Sequence, residues 1–195
     1  MKKYETTENP IVGASVYRGA FDATKFLSIL ESSCGSTQDP LLWEDSYIGP
    51  QAGQVSDYRT SVNCSLDVIM SNNSKHQLRP ELLSIKEKID MCVGDYANQY
   101  RLSIGIHEPY QVLKYSEGAH YRAHHDRSKE NGRTVSVVAS LQAPEEGGEL
   151  EFPFFDYTFK ATTGSLIVFP STHPYTHIAH PVTKGLKYSL VTWYI

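Results

Sequence analysis

Residues 121–127 read YRAHHDR and set two adjacent histidines in front of an aspartate. His-x-Asp is a spacing that lets two side chains reach one metal ion. In an extended strand the side chains alternate, so residues two apart share a face. On that reading His124 and Asp126 point together and His125 points the opposite way. One imidazole and one carboxylate do not complete a site. A third ligand is offered by PSTHPYTHIAHP, which holds His173, His177 and His180. Two histidines and one carboxylate on a rigid sheet form the facial triad that suits non-haem Fe(II) and leaves coordination positions open. Zinc is the second choice. A structural zinc favours a closed tetrahedral set with thiolates, and no cysteine lies near either stretch; the HExxH spacing of many catalytic zinc sites is also absent.

A cation follows on what reads as a closing strand. In KGLKYSLVTW, the residues Lys187, Ser189 and Trp193 alternate onto one face. An anionic co-substrate held by a metal at one end needs a positive partner at the other. A buried lysine with no such partner is costly. Isolated histidines in strands are commonly satisfied core or surface residues, so the argument rests on the combination of His-x-Asp, a later histidine and this lysine.

Those side chains need a scaffold. The chain has 195 residues, 40% hydrophobic and 21% charged, enough for one domain over 1–195 with a core that needs no disulfides. A net charge of -4 and no basic run argue against nucleic acid, and nothing points to an anionic membrane. Cys34, Cys64 and Cys92 are odd in number and form no CxxC, which reads as reduced thiols. The polar MKKYETTENP is no signal peptide, and no apolar run nears the roughly 18 residues of a membrane span. A cytoplasmic setting is the expectation.

Residues 1–102 read as a helix-rich support. One helix is expected in FDATKFLSILESSCG, with Asp22 as N-cap, Ala23, Phe26, Leu27 and Leu30 at helical spacing, and Gly35 ending it. Another is expected in RPELLSIKEKIDMCVGDYANQY, with Pro80 in the first turn and Leu82, Ile85, Ile89 and Val93 on one side. From about Ser103 the pattern changes to short runs rich in Val, Ile, Tyr, Phe and Thr, broken by Gly, Pro, Asn and Asp. Residues 103–195 therefore read as an antiparallel jelly roll carrying the site, with the helices against one outer face.

The residues also carry a resemblance. EPYQVLKYSEGAHYRAHHD resembles a motif of the 2-oxoglutarate- and Fe(II)-dependent oxygenases, in their prolyl 4-hydroxylase-like branch: Gln-Val, then Tyr-x-x-Gly-x-x-Tyr-x-x-His-x-Asp on Tyr115, Gly118, Tyr121, His124 and Asp126. RTVSVVASLQAPEEGGELEFP is similar to that family's strand, acidic turn, Gly-Gly-Glu and strand. HIAHPVTKGLKYSLVTWYI resembles its series of His, Pro-Val, Gly, basic residue and Trp. A weaker similarity, YRTS at 58–61, looks like a strand near the substrate groove. Leu150 and His180 depart from the pattern, which leaves the substrate open.

The resemblance implies a mainly β, double-stranded β-helix fold, the distorted jelly roll. It implies Fe(II) on His124, Asp126 and His177, because His177 stands four before Pro181 and ten before Lys187. It implies 2-oxoglutarate held by Lys187 and Tyr115, with Ser189 beside them, and O2 as the second co-substrate. Arg133, Trp193, Tyr121 and Arg59 would face substrate, and ascorbate would keep the iron reduced. The implied reaction decarboxylates 2-oxoglutarate to succinate and CO2 while hydroxylating a prolyl residue of a peptide or protein. Another side chain, a free amino acid or a small metabolite is the alternative target. A cupin-like binding protein without catalysis is the reading from a different class.

Overall fold

The computed structural model describes Tyr4 and residues 6–34, 39–46, 57–71 and 75–195. The first half holds β1 (Thr6–Glu8), β2 (Ser15–Arg18), α1 (Thr24–Ser33), β3 (Glu44–Asp45), β4 (Val62–Ser65), α2 (Asp67–Met70) and α3 (Arg79–Tyr100). The second half is nearly all strand. It runs β5 (Gln111–Tyr115), β6 (Tyr121–His124), β7 (Val135–Gln142), β8 (Glu146–Gly147), β9 (Leu150–Phe152), β10 (Tyr157–Phe159), β11 (Leu166–Pro170), β12 (His177–Ala179), β13 (Val182–Lys184) and β14 (Lys187–Tyr194).

Strand pairing is antiparallel throughout the two larger sheets. An eight-stranded sheet has the order β1-β2-β11-β7-β14-β5-β4-β3, and a four-stranded sheet the order β10-β9-β12-β6. The central strand β14 is buried along its whole length, and its alternation splits the two faces. Tyr188, Leu190 and Tyr194 join a core with Phe26 and Leu30 of α1 and Leu82, Ile85, Ile89 and Val93 of α3. Val191 and Trp193 face the other way, into a second core with Leu150, Phe152 and Ala179 of the four-stranded sheet. The helices thus cover one face of the large sheet, and the small sheet covers the other.

The long helix occupies the expected residues. Pro80 sits in its first turn, the four expected apolar residues are buried, and Arg101 ends it with φ 54° in place of a glycine. The shorter helix is capped differently from expectation. Ala23 holds the N-cap position, while Asp22 acts from one residue further out, its Oδ1 accepting from the Thr24 N–H at 2.9 Å. Gly35 lies outside the described residues.

Apart from the 58–61 segment, no strand was expected in the first half. β1 and β2 extend the large sheet at one edge and β3 and β4 at the other, so both halves of the chain build one sheet. They are two to four residues long, too short to show a period of two. The 58–61 segment itself precedes β4 and makes one isolated bridge, Arg59 to Tyr121. Cys34 and Cys64 are free thiols whose sulfurs lie 3.7 Å apart. Among the described residues no helix is long and apolar enough to cross a membrane.

Candidate functional site

The histidines of the site are brought together by register. His124 at the end of β6 pairs directly with His177 at the start of β12. Each ring is oriented by its Nδ1–H, which donates to a carbonyl two residues back: Arg122 O at 2.8 Å for His124 and Tyr175 O at 3.1 Å for His177. Both Nε2 atoms then face the same space. Asp126 lies between them, with Oδ1 3.7 Å from His124 Nε2 and Oδ2 3.9 Å from His177 Nε2. Each of the three residues offers a ligand atom within 4.8 Å of the other two.

Electrostatics suit the donor set to a metal. Burial first, and then the His177 ring, hold His124 down to about 3, so its imidazole is neutral. Burial opposes ionisation of Asp126, but the two imidazoles and the Ser136 hydroxyl outweigh it and keep the carboxyl below its usual range. The result is a neutral His124 imidazole beside an ionised carboxylate, both in the state that metal ligation needs.

Strand alternation does not account for this arrangement in the way the sequence suggests. β6 stops at His124, so Asp126 is not on the strand. His125 is exposed, and it lines the mouth of the same cavity rather than an opposite face. Asp126 turns back toward His124 because its neighbours hold it: Arg127 N donates to Ser171 O at 2.9 Å, and Asn131 Nδ2 donates to Asp126 O at 2.9 Å. His173 and His180 stay out of the cluster; His180 pairs with Glu151 at 2.6 Å.

A cavity of about 950 Å³ opens beside the three residues. Tyr115, Lys187, Ser189 and Trp193 line it, as do Tyr121, Arg59 and Arg133. Lys187 is buried and paired in register with Tyr115 of β5. Its Nζ donates to Gly148 O at 2.6 Å and lies 4.8 Å from the Tyr115 ring centre. No carboxylate forms an ion pair with it among the described residues. Burial pulls its ammonium down to about 8. The Tyr115 phenol, raised by burial, stays protonated and can donate. A buried cation with a single backbone partner, next to a phenolic donor, fits the far end of a dianionic co-substrate.

The four residues expected to face substrate are engaged to different degrees. Tyr121 stacks on His124 with ring centres 3.5 Å apart, and the Arg59 guanidinium lies 4.8 Å from the Tyr121 ring centre. Arg133 makes a two-pronged ion pair with Glu108, at 2.7 and 2.6 Å, and lies 3.6 Å over the Trp193 ring. Its guanidinium therefore braces the Trp193 wall. Ser136 and Ser171 had drawn no notice in the sequence, yet Ser136 Oγ donates to Asp126 Oδ2 at 2.6 Å and lies 2.8 Å from Ser171 Oγ. The one local signal was a hydroxyl inside the apolar run RTVSVVASL.

Comparison with known proteins now bears on this site. A family model described as the 2OG-Fe(II) oxygenase superfamily matches residues 110–195, which hold the three clustered residues and Lys187. The match takes in the strand-rich second half of the chain, from just before β5 to the last residue. A PKHD-type hydroxylase of Crocosphaera subtropica is 25% identical over 154 residues, 72% of this chain and 67% of that protein. A putative prolyl 4-hydroxylase of Acanthamoeba polyphaga mimivirus is 27% identical over 65% of this chain and 62% of its own length. The chain thus spans about two thirds, or slightly less, of these relatives. The Trichoplax adhaerens prolyl hydroxylase, solved with a hypoxia inducible factor peptide fragment, superposes with TM-score 0.67 at 20% identity. That superposition covers 94% of this chain and 83% of that one. The likeness shows the fold, a double-stranded β-helix, as expected. The matched superfamily model points to Fe(II), 2-oxoglutarate and O2, and the His124, Asp126 and His177 donor set fits the iron.

Proposed function

We propose that this oxygenase hydroxylates a prolyl residue in a peptide or protein, with 2-oxoglutarate decarboxylated to succinate and CO2. One observation carries the reading: the three ligand atoms converge on a cavity that is also lined by a buried lysine with no ion pair among the described residues. The prolyl target is supported by the names of the relatives, and a peptide as substrate by the Trichoplax complex.

In this reading His124, Asp126 and His177 hold Fe(II). When bound, the iron with 2-oxoglutarate and O2 supplies the oxidation, which no protein acid or base could provide. The chain's own residues bind and orient. Lys187 pairs with the distal carboxylate of 2-oxoglutarate, Tyr115 donates to it, and Ser189 lies alongside. Tyr121 and Trp193 form apolar walls for a substrate side chain, while Arg59 and the Glu108-braced Arg133 edge the groove. Residues 1–195 act as one domain, a view supported by the sheet that both halves share. A reducing, cytoplasmic setting is in keeping with the free thiols.

The test is to incubate the protein with Fe(II), 2-oxoglutarate, ascorbate and proline-containing peptides, and to follow succinate and peptide mass. Gain of one oxygen atom on proline, matched to succinate, is the expected result. Succinate formed with oxygen only on another residue or on a free amino acid would overturn the prolyl assignment. Absence of turnover with metal and 2-oxoglutarate both bound would overturn catalysis.

A further inference from the structure

Asp126 has no strand to hold it. β6 ends at His124, and Asp126 follows in a bend with its carboxylate close to both imidazoles. A carboxylate there is free to rotate about two side-chain torsions unless something fixes it. The structure supplies a fixing device in two fully buried serines, Ser136 on β7 and Ser171 just past β11.

The direction of the hydrogen bonds follows from proton counting. An ionised carboxylate can only accept, so Ser136 Oγ donates its single proton to Asp126 Oδ2 at 2.6 Å. The 2.8 Å contact between the two hydroxyls must then run from Ser171 to Ser136. Ser171 also holds the backbone next to the ligand, since its carbonyl accepts from Arg127 N at 2.9 Å and its own N donates to Thr134 O at 2.9 Å. One serine therefore ties β7, the end of β11 and the Asp126 bend together.

We propose that Ser171 and Ser136 form a positioning relay which sets the orientation of the Asp126 carboxylate for metal binding, in place of the strand that ends too early. The proposal rests on the reading that Asp126 is a metal ligand. Ser136 and Ser171 are positioning residues; neither touches the metal or the substrate. Partners of this kind commonly change metal affinity by 10–100-fold when removed. The relay also makes the short charge-assisted bond directional, with each hydroxyl polarising the next.

The test measures Co(II) and Mn(II) binding to the full chain by calorimetry without oxygen, together with the visible d–d spectrum of the Co(II) form. Ser136→Ala should weaken binding by roughly 10–100-fold and alter the Co(II) bands, and Ser171→Ala should fall between it and the wild type. Ser136→Thr, which keeps the hydroxyl, should return both affinity and spectrum close to the wild type. Asp126→Ala should lose binding altogether. Ser136→Ala binding within twofold of the wild type, beside a dead Asp126→Ala, overturns the relay and leaves the metal reading intact. Ser136→Thr as weak as Ser136→Ala also overturns it, since packing and not the hydroxyl would then matter. An Asp126→Ala variant that binds like the wild type overturns the metal reading itself.

Discussion

Lys187 stands directly across from Tyr115 in the register of β14 and β5, and its ammonium sits 4.8 Å from the centre of the Tyr115 ring. Two residues 72 positions apart are thus made neighbours by backbone pairing alone. The pair explains how a fold can keep a lysine buried: the aromatic face, the Gly148 carbonyl and the attraction of the Glu149 carboxylate soften the loss of water.

That arrangement is costly until an anion arrives. Replacing Lys187 by methionine should stabilise the ligand-free protein by about 1–4 kcal/mol, because a desolvated charge is exchanged for an apolar chain of similar length. The same variant should bind 2-oxoglutarate roughly 10–100-fold more weakly, the worth of about 1.5–3 kcal/mol for a charge-assisted contact. Thermal melting with and without 2-oxoglutarate checks both halves. A variant destabilised without ligand would show the ammonium to be better satisfied than its contacts indicate.

Titration of Lys187 gives two trends of opposite sign. Burial pulls its folded-state value down to about 8 from 10.5. Below about 8 both folded and unfolded chains carry the proton, and the cost of burying the charge is felt in full. Between there and 10.5 the unfolded chain holds the proton that the folded one has shed, so Lys187 contributes rising stability with pH. Affinity for 2-oxoglutarate runs the other way, falling close to tenfold per pH unit above about 8. Subtracting the Lys187→Met profile isolates the lysine in each measurement, and a wild-type affinity flat across this range would assign the co-substrate to another group.

The two neighbouring histidines should separate cleanly. His124→Ala is expected to lose metal binding, while His125→Ala, an exposed residue at the cavity mouth, should bind within about threefold of the wild type, the range of a surface change. Metal titration by calorimetry decides. Equal losses would mean that His125 helps to hold the Asp126 bend.

Identical glycine substitutions should have opposite effects. Gly94 lies exposed within α3, and a Cβ there would meet nothing within 4 Å, so Gly94→Ala should stabilise by about 0.5–1 kcal/mol. Gly147 has φ +77°, and its Cβ would stand 2.4 Å from Pro181 O. Gly147→Ala should cost about 2 kcal/mol or more from backbone strain and overlap. Denaturant unfolding of both variants gives the comparison.

What could be read from the sequence follows the range of the interactions involved. The run of α3 was visible because Leu82, Ile85, Ile89 and Val93 recur at a period that one segment carries by itself. β5 and β14 were visible for the same reason, and with them the placement of Lys187 and Ser189 on the cavity side. The edge strands β1 to β4 were hidden, since so few residues carry no period and owe their state to the strands beside them. The role of Asp126 shows the same limit at the site. Its place beside His124 could be inferred from spacing, but the hydroxyls and the Ser171 carbonyl that hold it come from other strands. Likewise nothing near Arg133 announces that Glu108, 25 residues earlier, occupies its guanidinium.

His124 and His177 belong to the four-stranded sheet, whereas Lys187 and Tyr115 belong to the eight-stranded one. Facing sheets keep a separation of about 10 Å, set by the cores they share. The two layers therefore act as the jaws of a caliper. On the proposed reading, in which 2-oxoglutarate spans from the clustered histidines to Lys187, that spacing favours a keto diacid of matching length. Discrimination by length would then be set jointly by the separation of two sheets and the reach of the side chains that each presents.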